Sequence, residues 1–198
     1  MSDVRAAERS RTTKETSITL SIDLDGTGTT DISTGIPFYD HMLDQLGRHG
    51  GFDLSIAAVG DLHIDTHHTV EDVAITLGEA FREALGDKVG VRRFASGQYP
   101  LDEALVEVAL DLSGRPFVVW EVDMPESLPL GNPAFDPQLA EHAVASFATA
   151  AGITLHVTLK RGRNAHHIIE ATFKGLARCL RDAVRVEDAA LPSTKGVL

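Results

Sequence analysis

The chain has 198 residues, a net charge of −11 at neutral pH, 43% hydrophobic residues and 24% charged residues. That length can bury a substantial core, as one domain or two small ones, and the composition is that of an ordinary globular protein. The acidic balance argues against a nucleic-acid or anionic-membrane surface, and no apolar run approaches the roughly 20 residues a membrane helix requires. With no signal-peptide pattern, the expected location is cytoplasmic. The single Cys179 excludes an intrachain disulfide framework and sits among helical residues, where a buried apolar role is expected.

Residues 1–11 are polar, lack a hydrophobic period and read as a loose arm. From Ile18 the period is two: Ile18, Leu20, Ile22 and Leu24 alternate with polar residues as in a half-buried strand, and Asp25-Gly26 supplies hairpin turn chemistry. A helix starts after Pro37, carries His41, Leu43 and Leu46, and stops at Gly50 and Gly51. Phe52, Leu54, Ile56 and Ala58 alternate as a second strand. Thr66 to Leu85 forms a helix, with Val73, Leu77, Phe81 and Leu85 four apart and Gly86 beyond its end.

The second half repeats this order. Val106 to Gly114 matches the strand ending at Gly26 with an offset of 88, and Gly152 stands to Gly51 as His142 stands to His41, with an offset of 101. Ile153, Leu155, Val157 and Leu159 alternate as a strand, and His166 to Val184 is a helix striped by Phe173, Leu176, Leu180 and Val184. The growth in offset places an insertion in the Pro-rich stretch from Pro125 to Pro137, read as a surface loop. The fold class is therefore α+β, an internal duplication of two α+β layers in pseudo-symmetric halves. Residues 12–90 form the first repeat, 91–188 the second and 189–198 a C-terminal substrate-binding tail.

Two His-His-x-x-Glu motifs mark the repeat, His67-His68 with Glu71 and His166-His167 with Glu170, 99 residues apart. Residues at i+3 and i+4 share a helix face, so each glutamate lies beside its histidines. Adjacent histidines point about 100° apart, which suits two neighbouring metals or two subunits better than one ion. With His41 and His142 as repeat-related partners, six histidines and two carboxylates divide into three nitrogens and one oxygen for each of two metals. Four protein ligands would close a tetrahedral zinc site, whereas an octahedral ion keeps positions open for substrate; imidazole and carboxylate without thiolate favour Mn²⁺. His49, His63 and His156 have no repeated counterpart and are read as surface or strand residues. Arg93, Arg115, Lys174 and Lys195 lie near the repeat landmarks and are candidates to hold a phosphate. The hydroxyls and amides of the tail around Ser193 and Thr194 offer an oxyanion cradle.

These residues resemble a known family, the imidazoleglycerol-phosphate dehydratases of histidine biosynthesis, in their monofunctional form. The resemblance runs from Arg11 to Leu198 and rests on six blocks in order: Arg11 to Thr16, Pro37 to Leu43, His67 to Asp72, Asp111 to Pro116, His166 to Ala171 and Ser193 to Gly196. It implies halves of the ribosomal protein S5 domain 2-like type, and a 24-subunit homo-oligomer built from trimers with active sites at subunit contacts. It also implies a hydro-lyase that converts D-erythro-imidazole glycerol phosphate to imidazole acetol phosphate. The reacting carbon has no adjacent carbonyl, so two manganese ions per active site would stabilise an imidazolate. That ring would expel the neighbouring hydroxyl through a diazafulvene-like species before a carboxylate removes the proton. The family pattern places the base at Glu15, expected ahead of the first strand on a mobile segment; Glu71 and Glu170 complete the catalytic set. Gln45 is expected to line the imidazole pocket, and Arg93, Arg115, Lys174, Ser193, Thr194 and Lys195 to hold the substrate.

Two other classes compete on the residues alone. A two-metal hydrolase would release phosphate, which the dehydration does not. A metal-storage cage needs many carboxylates and Glu-x-x-His ligation, rather than a histidine-rich site with a phosphate clamp.

Overall fold

The computed structural model describes residues 5–195. Its elements are β1 (Ala6–Thr12), β2 (Thr16–Asp23), β3 (Thr30–Ser33), α1 (Pro37–Gly50), β4 (Asp53–Gly60) and α2 (His67–Leu85), then β5 (Phe94–Leu101), β6 (Ala104–Asp111), β7 (Phe117–Glu121), α3 (Leu139–Ala151), β8 (Thr154–Arg161) and α4 (Ala165–Ala183). The two halves share one topology. Each sheet has four strands, in the orders β1-β2-β4-β3 and β5-β6-β8-β7, with antiparallel pairing except for the parallel third strand of each half against its fourth. The expected duplicated α+β architecture is the observed one. Among the described residues no helix is long and apolar enough to cross a membrane.

Each sheet turns its alternating apolar residues inward, Ile18, Leu20 and Ile22 from β2 and Val106, Val108 and Leu110 from β6, all buried. The helices cover these faces and meet across the pseudo-symmetry, α1 against α4 and α2 against α3. Gly78 makes the second contact possible: a Cβ there would lie 2.5 Å from the Phe147 carbonyl oxygen, so only glycine lets α2 sit this close to α3. Gly51 and Gly152, at the ends of α1 and α3, share φ of 71°, and each returns its amide to the last helical turn. Phe81, fully buried, packs edge-on to Phe52 in its own half and to Phe147 in the other, with centroids 6.3 and 5.7 Å away. Phe81→Ala is therefore expected to cost about 3–5 kcal/mol, measured as a lowered midpoint of guanidinium unfolding; a shift worth less than about 1 kcal/mol would contradict this packing.

Four expectations change. Residues 6–11 are not a loose arm but most of β1, an edge strand paired along its whole length with β2. Its only fully covered side chain is Ala7, so the sequence shows no apolar period. Residues 1–4 of that arm lie outside the described residues. The hairpin lies at Thr13 to Glu15, between β1 and β2, and not at Asp25-Gly26. The latter turn leads across the sheet into β3, anchored by Asp53, whose Oδ1 accepts the amides of Thr27 and Thr29. It follows that Glu15 sits at a hairpin tip between two strands, with Thr13 Oγ1 accepting its amide at 3.1 Å and that of Thr16 at 3.0 Å, rather than on a free segment before the first strand. Finally, the Pro-rich insertion is more than a surface loop. Phe135 is fully buried against Phe38 and Tyr39 of α1, and Thr66 Oγ1 donates to the Ala134 carbonyl at 2.9 Å. Cys179 is buried and free, as expected.

Candidate active site

Both His-His pairs open a helix, and each helix start is fixed by a side chain two residues ahead of the pair. Asp65 Oδ1 accepts the His67 amide at 2.8 Å, and Asn164 Oδ1 accepts the His166 amide at 2.9 Å. The first histidine of each pair, the more exposed of the two, lies along the helix–helix seam and meets a residue from the opposite half. His166 and Glu170 of α4 meet His41 of α1; His67 and Glu71 of α2 meet His142 of α3. In each group three ligand atoms lie within 4.8 Å of one another. In the first, Glu170 Oε2 is 3.0 Å from His166 Nε2 and 3.3 Å from His41 Nε2. In the second, the His67 and His142 rings stand 4.5 Å apart, and Glu71 Oε1 is 3.3 Å from His142 Nε2. That nitrogen is buried yet makes no well-directed hydrogen bond.

Two imidazoles and a carboxylate around one point, with a buried ring nitrogen left without a hydrogen bond, fit a divalent transition ion of borderline softness. The two sets are not electrostatically alike. Burial opposes ionisation of Glu170, but Lys174, whose Nζ is 2.6 Å from Oε1, outweighs it with help from His166 and His41 and holds the carboxyl below its ordinary range. The repeat-related position to Lys174 is Ile75, so Glu71 has no such partner.

The second histidine of each pair lies outside both sets. His68 Nδ1 faces Asp61 Oδ2 at 2.9 Å, and its Nε2 lies 3.9 Å from Glu15 Oε1. His167 Nδ1 faces Glu103 Oε2 at 2.7 Å, with Nε2 3.8 Å from Asp102 Oδ2. The bond to Asp61 raises the His68 pKa. Glu103 is held down to about 2, chiefly by His167, with the amides of Arg163 and Asn164 adding to it. Asp61 and Glu103 were not among the sequence candidates. A signal for Glu103 exists: it is the residue 88 after Glu15, the same offset that relates β6 to β2. Gln45 lies beside the first set, its amide nitrogen 3.4 Å from His41 Nδ1 and its carbonyl oxygen 3.2 Å from His49 Nε2. His63 and His156 are exposed, the latter on β8.

The substrate-holding candidates divide between the two ends of the molecule. Lys174 is beside the first set. Arg93 is not: its amide donates to the Ala183 carbonyl at the end of α4, while His166 lies at the start. Those points are separated by about 25 Å at ~1.5 Å per helical residue. In this chain the Arg93 guanidinium is engaged by Asp111, with contacts of 2.6 and 3.0 Å, and donates to the Pro192 carbonyl at 2.6 Å. Arg115 lies at the same end of the second sheet, its carbonyl accepting from Thr154 Oγ1 at 2.9 Å. Ser193, Thr194 and Lys195 belong to the tail that Arg93 ties down, and Ser193 Oγ accepts the Lys195 amide at 3.2 Å. Gly196, the last residue of the expected cradle, lies outside the described residues. A single chain thus does not bring the metal-type residues and the tail to one place.

Fold and site together define a duplicated α+β enzyme whose halves exchange histidines to build two His-His-Glu sets. The model of the family Imidazoleglycerol-phosphate dehydratase matches residues 34–180. The dehydratase of Acidothermus cellulolyticus is 56% identical over 195 residues, covering 98% of this chain and 93% of that one; that of Streptomyces coelicolor is 55% identical, covering 98% and 99%. Among solved structures, the Staphylococcus aureus enzyme superposes with a TM-score of 0.82 at 34% identity, covering 91% of this chain and 99% of that one. The Pyrococcus furiosus enzyme, in complex with (S)-C348, gives 0.82 at 39% identity, covering 96% and 100%. The chain belongs to the imidazoleglycerol-phosphate dehydratase family and is a hydro-lyase.

Proposed function

We propose that the chain removes water from D-erythro-imidazole glycerol phosphate to give imidazole acetol phosphate in L-histidine biosynthesis, in the cytoplasm, with two manganese ions per active site. The observation that carries the metal reading is the pair of His-His-Glu sets, each with its three ligand atoms within 4.8 Å. His41, His166 and Glu170 hold one ion and His67, Glu71 and His142 the other. Manganese bound there supplies Lewis acidity to the ring nitrogens of the substrate. His68 and His167, turned out of both sets, serve the sets of neighbouring copies.

The chain's own side chains do the rest. Glu15 accepts the carbon-bound proton at its free carboxylate. Gln45, bonded to His41, orients the imidazole. Lys174 offers a cation beside the first set; at the far end, about 25 Å away, Arg115 and Lys195 bring cations and Ser193 and Thr194 hydroxyls, with Arg93 tying down the tail. A complete site therefore takes the metal-bearing end of one copy and the phosphate-bearing end of another, which supports assembly into the 24-subunit homo-oligomer.

The test is an assay with synthetic imidazole glycerol phosphate, following the ketone product under alkali. Chelator-treated protein is expected to be inactive and to regain activity with Mn²⁺. Release of inorganic phosphate would instead mark a hydrolase, and full activity of metal-free protein would remove the metal from the reaction.

A further inference from the structure

His68 and His167 are each gripped at one nitrogen only, and the grip comes from two positions that the duplication does not relate. Asp61 follows β4, and its repeat counterpart is Gly162; Glu103 lies in the β5–β6 turn, and its counterpart is Glu15. Both carboxylates nevertheless accept from Nδ1, at 2.9 and 2.7 Å. An ionised carboxylate only accepts, so Nδ1 carries the hydrogen and the free lone pair of a neutral ring sits on Nε2.

Asp61 is costly where it stands. Its side chain is 10% exposed, and Oδ1 is buried without a hydrogen-bond partner among the described residues, leaving His68 as its one strong contact. Burying a carboxylate oxygen unpaired is unfavourable unless the group is needed there. Glu103 does double duty. Its Oε2 takes His167 and its Oε1 accepts the amides of Arg163 and Asn164 at 3.2 and 2.9 Å, so the clamp also fixes the residues that open α4.

We infer that Asp61 and Glu103 are positioning residues that lock His68 and His167 with Nε2 outward as the ligating nitrogen, and that Asp61, by taking the clamp in the first half, leaves Glu15 unengaged. Glu15 and Glu103 occupy equivalent turn positions in the two halves. In the second half the glutamate is the clamp; in the first half the aspartate that follows β4 takes that place. The freed glutamate has a half-exposed side chain 3.9 Å from the outward nitrogen, too far for a hydrogen bond.

The inference rests on the metal reading of the histidines, and its test separates the two. Manganese affinity of the assembled protein is titrated in competition with a chromophoric chelator, beside the thermal midpoint of the metal-free protein. Outer carboxylates on ligating histidines are worth about 10- to 100-fold in affinity, and Asp61→Ala is expected to lose that much without lowering the apo midpoint. Asp61→Asn, which keeps an acceptor for Nδ1–H but no charge, should lose less. In a His68→Ala background Asp61→Ala should cost nothing further, since it acts through that ring. Wild-type affinity in Asp61→Ala, or an equal loss with and without His68, overturns the positioning role. Should Asp61→Ala not fold, an Asp61→Asn protein whose loss persists undiminished in the His68→Ala background overturns it equally. Failure of the wild-type protein to bind manganese would instead overturn the metal reading itself.

Discussion

Replacing Glu15 with glutamine is expected to lower kcat by about two to four orders of magnitude, the range a positioned general base contributes, while KM stays within a few-fold. The geometry argues for a loss confined to the chemical step. Glu15 belongs to neither His-His-Glu set, so the amide should leave metal content untouched. The β1–β2 turn that presents it is held by Thr13 Oγ1 through backbone amides, which the substitution does not alter. Among the described residues its carboxylate makes only a 3.9 Å ion pair with His68 Nε2 and no hydrogen bond, in contrast to Glu103, so the change costs little structurally. An amide of the same shape cannot take a proton. Steady-state kinetics on the manganese-loaded protein decide the matter, and a variant with near wild-type kcat would remove Glu15 from the mechanism.

The elements that carried period or punctuation were legible without coordinates. β2, β4, β6 and β8 are the inner strands of their sheets and alternate apolar and polar residues because only one face is covered. The edge strands were not. β1 buries only Ala7 fully, and β5, whose Ala95, Tyr99 and Leu101 pack against the core, has that stripe broken by Gly97 and carries Phe94 and Pro100 on its exposed face. α3 hides its own period for the opposite reason. Sandwiched by α2 and β7, it is apolar and alanine-rich on most sides. At the site, the eight ligand candidates were readable from repeat offsets, and the divergence of adjacent histidines from helix geometry alone. Which histidine of each pair joins a His-His-Glu set was not readable, nor that each set mixes halves, because both depend on α1 meeting α4 and α2 meeting α3. Asp61 escaped notice because its partner sits across a loop, with no periodicity to connect them.

Glu170→Gln is expected to remove one of the two manganese ions per chain, and with it activity, in a way that Glu71→Gln does not fully copy. Each change takes the only carboxylate from its set and leaves two imidazoles, so both weaken binding. At the first set the consequence is larger. Lys174 is now neutralised by Glu170 at 2.6 Å, and its side chain is only 24% exposed. Without the carboxylate, an ammonium remains beside His41 and His166 and repels the ion that they would hold. At the second set Ile75 occupies the corresponding place, so no cation is uncovered. Excess Mn²⁺ should therefore restore metal content to Glu71→Gln far more readily than to Glu170→Gln. Adding Lys174→Met to Glu170→Gln should recover much of that affinity, although activity stays low if Lys174 also holds the substrate. Metal analysis of the dialysed proteins reads all three outcomes. Retention of two ions by Glu170→Gln would show that the carboxylate between His41 and His166 serves Lys174 and not a metal.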